Sequence, residues 1–245
     1  MSDKQYPRPD MERDRWLSLD GTWEFEFDCR GNGKDRHRGP LAGTIRVPFC
    51  IESEESGIGI QDPPPVSWYA KNLSRKDLPR GKRFFLNFGA VDYEATVWLN
   101  GALLGSHRGG YTPFTFEITE RLADNNRLVV RANDPRTRGT LRGKQYLWKK
   151  LSPIFYTPAS GIWQPVHIHA TGSSSIVKMV LSSTLDAIMV SWDIDGGDRM
   201  VIEIAGSKGS IAAIKEIRKP QMSGSATLVI KHPHHWSVDD PYLYT

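Results

Sequence analysis

Short runs in which apolar and polar residues alternate, each closed by Gly, Pro, Asn or Asp, fill most of this chain. They include GTWEFEFD (21–28), KRFFLNFGAV (82–91), EATVWL (94–99), ALLGSH (102–107), FTFEIT (114–119), NRLVVRAND (126–134) and WQPVHIHA (163–170). A period of two puts successive side chains on opposite faces of a strand, whereas a helix needs apolar residues three and four apart. Runs this short and this regularly interrupted predict an all-β sandwich with few helices. Asn100-Gly101, between two of the runs, predicts a type I′ hairpin, because both central positions of that turn need positive φ. In the first strand of that hairpin Thr96 and Trp98 face away from Val97 and Leu99, so the bulk of Trp98 predicts cover on both faces. The expected core aromatics are Trp16, Trp23, Phe25, Trp68, Phe85, Phe88, Trp98, Phe114, Phe116 and Trp163.

At TGSSSIVKM (171–179) the composition turns to Ser and Gly, and aromatics thin out beyond it. The shift predicts a boundary between one domain over 1–171 and a second over 172–245. Five further strand-like runs follow: IVKMVL (176–181), AIMVSWDI (187–194), MVIEIAG (200–206), IAAIKEIR (211–218) and ATLVIK (226–231). An immunoglobulin-like sandwich uses about seven strands in roughly 100 residues. With five strands and a sixth beginning at Tyr242, the second domain is expected to be an incomplete immunoglobulin-like sandwich lacking its C-terminal strands.

Composition sets limits on function. With 32 basic against 28 acidic residues, the net charge of +4 gives no case for nucleic acid. The loop RTRGTLRGKQYLWKK (136–150) interleaves basic and aromatic residues as single-strand binders do, but no matching basic face lies elsewhere, so no nucleic-acid partner is expected. The N-terminus has no apolar leader and no stretch is long and apolar enough for a membrane span, giving the expectation of a cytoplasmic chain with no membrane partner. Cys29 and Cys50 are too few for a disulfide framework and lack zinc spacing, so both are expected as reduced thiols. His167 and His169 lie two apart on one strand face, and HPHHW (232–236) adds three more histidines. No carboxylate or cysteine stands near them in sequence, so no metal is expected. The acidic run Glu52, Glu54 and Glu55 is expected to be a solvated loop, with Asp92 and Glu94 flanking a strand, and no catalytic carboxylate pair is expected. Motifs for a nucleophile elbow, a P-loop or a dinucleotide fold are missing, and no cofactor is expected.

Several stretches taken together resemble one family. LDGTWEFEFD (19–28), VSWYAKNL (66–73), FGAVDYEATVWLNGALLGSHRGGYTPFTFEIT (88–119), NRLVVRANDP (126–135), GIWQPVHIHA (161–170) and WSVDDPYLYT (236–245) are similar to the N-terminal region of glycoside hydrolase family 2. That family includes β-galactosidases, β-glucuronidases and β-mannosidases. The resemblance implies a jelly-roll, galactose-binding-like sandwich, then the immunoglobulin-like sandwich, then a (β/α)8 barrel with two catalytic glutamates that hydrolyses β-glycosidic bonds with retention. Such a barrel takes about 250 residues, so the chain is expected to be truncated before it, to carry no catalytic residue and to be inactive alone. The implied partners are a β-glycoside carbohydrate through the parent enzyme, the missing barrel domain, and another copy of the chain through an unpaired sheet edge.

In this family the loop before GIWQP projects toward the barrel's active-site mouth, which implies Lys144, Gln145, Tyr146 and Trp148 as substrate-facing residues. Many galactosidases and glucuronidases carry an aspartate a few residues before the Gly-Ile step, whereas this chain reads SPIFYTPASGIW (152–163), without an acid. The alternative function is a stand-alone, lectin-like carbohydrate-binding module.

Overall fold

A computed structural model describes residues 6–8, 11–28, 36–137, 139–146, 154–207 and 209–245. The chain divides into two compact units, Met1–Ala170 and Thr171–Thr245. Among the described residues helix is confined to single 3₁₀ turns, and none is long and apolar enough to cross a membrane.

The first unit holds β1 (Trp16–Ser18), β2 (Gly21–Phe27), β3 (Gly43–Val47), β4 (Val66–Ser74), β5 (Arg83–Phe88), β6 (Val91–Asp92), β7 (Glu94–Leu99), β8 (Ala102–Arg108), β9 (Phe114–Glu117), β10 (Asn125–Asn133), β11 (Gly161–Ile162) and β12 (Val166–Thr171). One sheet runs β3-β2-β4-β10-β7-β8, a second runs β1-β12-β5-β9, and β11 pairs with β6 by itself. The two large sheets bury a common core, with Trp23, Phe25, Tyr69, Val97 and Leu128 from the first against Phe84, Leu86, Phe88 and Ile168 from the second. Each such side chain contributes roughly 1.5–3 kcal/mol through removal from water, so alternation alone suffices to fix which face turns inward.

Register decides the details. In β5 the inward set is Phe84, Leu86 and Phe88, which leaves Phe85 and Asn87 on the outer face. Phe85 is therefore not a core residue; it stacks on His169 at 5.0 Å between ring centroids. Trp23, Phe25, Trp68 and Phe88 are buried as expected, while Trp16, Trp98, Phe114, Phe116 and Trp163 are half-buried. Trp98 has cover on both sides of its strand: Val97 and Leu99 point into the core, and Trp98 stacks at 5.6 Å on Trp68 beneath His37. The hairpin turns on Asn100 (φ 54°) and Gly101 (φ 77°), the left-handed pair that a type I′ turn requires. The Asn100 side chain also accepts from Arg127 N and donates to Arg121 O, both at 2.9 Å, which ties the turn to β10.

The second unit holds β13 (Ser175–Ser183), β14 (Ala187–Asp195), β15 (Arg199–Ala205), β16 (Ile211–Arg218) and β17 (Ser223–Val229). A sheet of order β13-β14-β17 and the pair β15-β16 share a small core of Trp192, Ile194, Ile204, Ala226, Leu228 and Ile230. The stretch from Tyr242 forms no strand, but Thr245 and Ala205 exchange both backbone hydrogen bonds, at 2.7 and 2.9 Å, and Tyr244 packs on the core. Cys50 is a free thiol whose pKa burial raises, and Cys29 lies outside the described residues.

Candidate functional site

The connection from β10 to β11 is the longest in the first unit, and a buried polar network roots it. Asp134, just past β10, donates its N–H to Pro65 O at 2.7 Å and accepts both carboxylate hydrogen bonds from Arg142 Nη2. Arg136 bonds Glu52 Oε1 and reaches Ser160 Oγ at 3.1 Å. Ser160 N donates to Glu52 Oε2 at 2.9 Å, and Ser160 Oγ lies 2.7 Å from Glu52 Oε1 and 2.8 Å from Asp134 Oδ2. Two guanidinium groups thus meet two carboxylates, the condition under which burying such charges is tolerated. Glu52 corrects the expectation of a solvated acidic run: Glu54 and Glu55 are exposed, but Glu52 is buried because its side chain closes the loop's base.

A third acid, Asp92, sits beside this balanced set. It belongs to β6, pairs with Gly161 of β11 and is completely buried. Its Oδ2 accepts from Gln145 Nε2 at 3.0 Å, while Oδ1 has no hydrogen-bond partner among the described residues. Burial pushes its carboxyl up to about 6, with the neighbouring Asp134 and Glu52 charges adding to the rise against the Gln145 hydrogen bond. Gln145 uses its whole amide: Nε2 also donates to Tyr111 Oη at 2.9 Å and Oε1 accepts from Ala159 N at 2.8 Å. Tyr111 Oη in turn donates to Arg142 O at 2.7 Å.

Local backbone pairing shapes the visible part of the loop. Tyr146 N donates to Tyr156 O at 3.2 Å, and Tyr156 N to Lys144 O at 3.1 Å. Gly161 is required where the loop rejoins the sheet, since at φ +80° a Cβ there would lie 1.9 Å from the buried Tyr69 hydroxyl. Outside this base the loop exposes Leu141 (81%), Ile154 (67%) and Tyr156 (52%).

Of the four site residues expected from the sequence, Lys144 is exposed on this rim, Gln145 is buried in the network, Tyr146 is half-buried, and Trp148 lies outside the described residues. The sequence reading did not single out Glu52, Asp92, Asp134, Arg136, Arg142 and Ser160 as one assembly. A usable signal is present: Asp134 directly follows β10, in which Leu128, Val129, Val130 and Ala132 are buried, so an unpaired charge there would be costly and a basic partner is to be sought among the arginines that come after it. With Glu52 and Asp134 paired to Arg136 and Arg142, the arrangement holds the base of the loop. No group of three or more His, Cys, Asp or Glu that could hold a metal occurs among the described residues.

Comparison with known proteins bears on the fold of the chain. Residues 51–163 match the family model for the glycosyl hydrolase 2 galactose-binding domain-like region. A β-galactosidase of Thermoanaerobacter pseudethanolicus is 27% identical over 192 residues, covering 73% of this chain and 25% of that protein. A β-glucuronidase of Paenibacillus borealis is 24% identical over 266 residues, covering 98% of this chain and 43% of that one. Among solved structures, the β-glucuronidase of Bifidobacterium dentium complexed with coumarin-3-O-glucuronide superposes with a TM-score of 0.77 at 22% identity, over 96% of this chain and 45% of that chain. The chain therefore spans less than half the length of these relatives. Residues 51–163 thus correspond to the N-terminal, galactose-binding-like region of glycoside hydrolase family 2, and the chain as a whole is similar to β-galactosidases and β-glucuronidases.

Proposed function

We propose that this chain is the non-catalytic N-terminal part of an enzyme that hydrolyses β-glycosidic bonds with retention. In this reading 1–171 is the jelly-roll domain, 172–245 is an immunoglobulin-like domain, and the β10–β11 loop lends its rim to the mouth of the active site. The observation that carries the reading is the buried Asp134–Arg142 and Glu52–Arg136 pairing, which holds the base of a loop while its outer residues stay exposed. A functional rim needs such support, because a contact displaced by about 1 Å can cost 10²-fold in rate. Lys144 and Tyr146 meet the substrate, while Gln145 positions the loop through Asp92 and Tyr111.

The test is kinetic, in the enzyme read beyond Thr245. Lys144→Ala is expected to raise KM about tenfold, the loss of one charge-assisted hydrogen bond, with kcat and melting temperature unchanged. An unaltered KM on every β-glycoside that the enzyme hydrolyses would remove Lys144 from the rim and the reading with it.

A further inference from the structure

We propose that the N-terminal arm at Tyr6–Arg8 is a strap that acid releases from the outer face of the β1-β12-β5-β9 sheet, with the His167 and His169 imidazoles at its docking site as the trigger. The contact is aromatic: the Tyr6 ring stands edge to face on Trp16 at 5.5 Å and on His167 at 5.1 Å. Tyr6 Oη lies 3.3 Å from His167 Nε2. The two imidazoles are 6.4 Å apart and almost fully covered, His167 at 2% exposure and His169 at 9%. A charge gained there stays unhydrated unless the cover moves.

Neither ring has a place for a second proton. His169 Nδ1 lies 2.9 Å from Asn87 Nδ2 and must accept from it, because the amide is fixed: Nδ2 also donates to Phe85 O at 2.8 Å, and Oδ1 accepts from Thr115 Oγ1 at 2.9 Å. An imidazolium would set N–H against N–H. His167 Nδ1 has no hydrogen-bond partner among the described residues, so a proton on it would be a buried donor without an acceptor. The charged neighbours add to this. Arg8 and Arg13 face the pair from the arm, and Arg83 of β5 lies over Phe85, the ring stacked on His169. Glu117 of β9 is engaged by Arg83 through two hydrogen bonds, at 2.9 and 2.7 Å. Burial, with the neighbouring arginines and the other ring, lowers the docked imidazoles from 6.5 to about 4. Released and hydrated rings take up protons that the docked rings refuse, so each pH unit lost between those values favours release by at most about tenfold per ring. Against this the arm sets one phenol ring, whereas the sandwich has its whole core, so the strap yields first. Pro7 and Arg8 also wall a cleft of about 280 Å³ shared with Trp163 and Gln164, and release opens that wall.

The experiment follows the Tyr6, Trp16, His167 and His169 rings of the 245-residue chain by NMR from about pH 7.5 down to about pH 4. The Tyr6–Trp16 cross-peaks are expected to vanish reversibly in one transition between 6.5 and 4, at the midpoint where the two imidazoles gain their protons. Core signals from Val97, Leu99 and Leu128 should stay in place. The His167→Gln/His169→Gln variant should keep the cross-peaks to the acid end of the titration. If that variant fails to dock at any pH, the coincidence of the two wild-type midpoints decides. Three outcomes overturn the proposal: cross-peaks that persist in the wild-type chain after both imidazoles have titrated, loss of the cross-peaks only together with the core signals, or release of the double variant at the wild-type midpoint.

Discussion

Three buried titratable residues set the pH response of the first unit, and they pull in opposite directions. His167 and His169 are both lowered from 6.5 to about 4, chiefly by burial, with Arg8 among the neighbours that disfavour the cation at each. The Asn87 amide, 2.9 Å from His169 Nδ1, also favours the neutral ring, since its Nδ2 can only donate. Between those values the unfolded chain binds two protons that the folded chain refuses, so stability rises with pH. Asp92 is raised from 3.8 to about 6, so there the folded chain holds the extra proton and stability falls as pH rises. At about 1.4 kcal/mol per pKa unit each histidine contributes roughly 3 kcal/mol across the window and Asp92 opposes by a similar amount. Glu24, held at about 2 by Arg127, loses its contribution only below 4.5 and stays outside this window. Urea titrations from pH 4.5 to 6.5 should show a net rise of stability with pH. In the His167→Gln/His169→Gln double variant the sign should reverse, because Asp92 alone remains; an unchanged slope would contradict the assignment.

At the level of elements, alternation made the long strands legible, and the Asn-Gly dipeptide located the β7–β8 hairpin. Periodicity does not reveal phase in a doubled aromatic, so alternation admits Phe85 to the core as readily as Phe84, the residue that the structure buries. The two-residue strands β6 and β11 are too short to carry a pattern, and their pairing is visible only once Tyr69 and Gly161 lie together. The polar network was hidden for another reason: Glu52, Asp92 and Asp134 are remote in sequence, and charge counting along a loop treats Arg136 and Arg142 as solvated when both are spoken for. Gly161→Ala is expected to destabilise the protein by roughly 3 kcal/mol or more, from a steric clash plus unfavourable φ. Combining it with Tyr69→Phe should recover part of that loss, the steric part; a purely additive pair of losses would show that the hydroxyl contact does not limit this position.

For the whole molecule, the order of strand-rich segments is readable in the alternation, whereas an arrangement of modules and a class of chemistry are only implied, by the family resemblance and not by spacing. Glu52 and Asp134, buried and paired with Arg136 and Arg142, and the structural use of Gln145 support the proposal of a non-catalytic part. That is the central claim, and hydrolysis tests it most directly. The 245-residue chain and the product of the same gene read past codon 245 should be assayed side by side on a panel of p-nitrophenyl β-glycosides. The account predicts turnover by the longer product alone, on a substrate that identifies the sugar; turnover by the 245-residue chain itself would contradict it and place a catalytic site within the sandwiches.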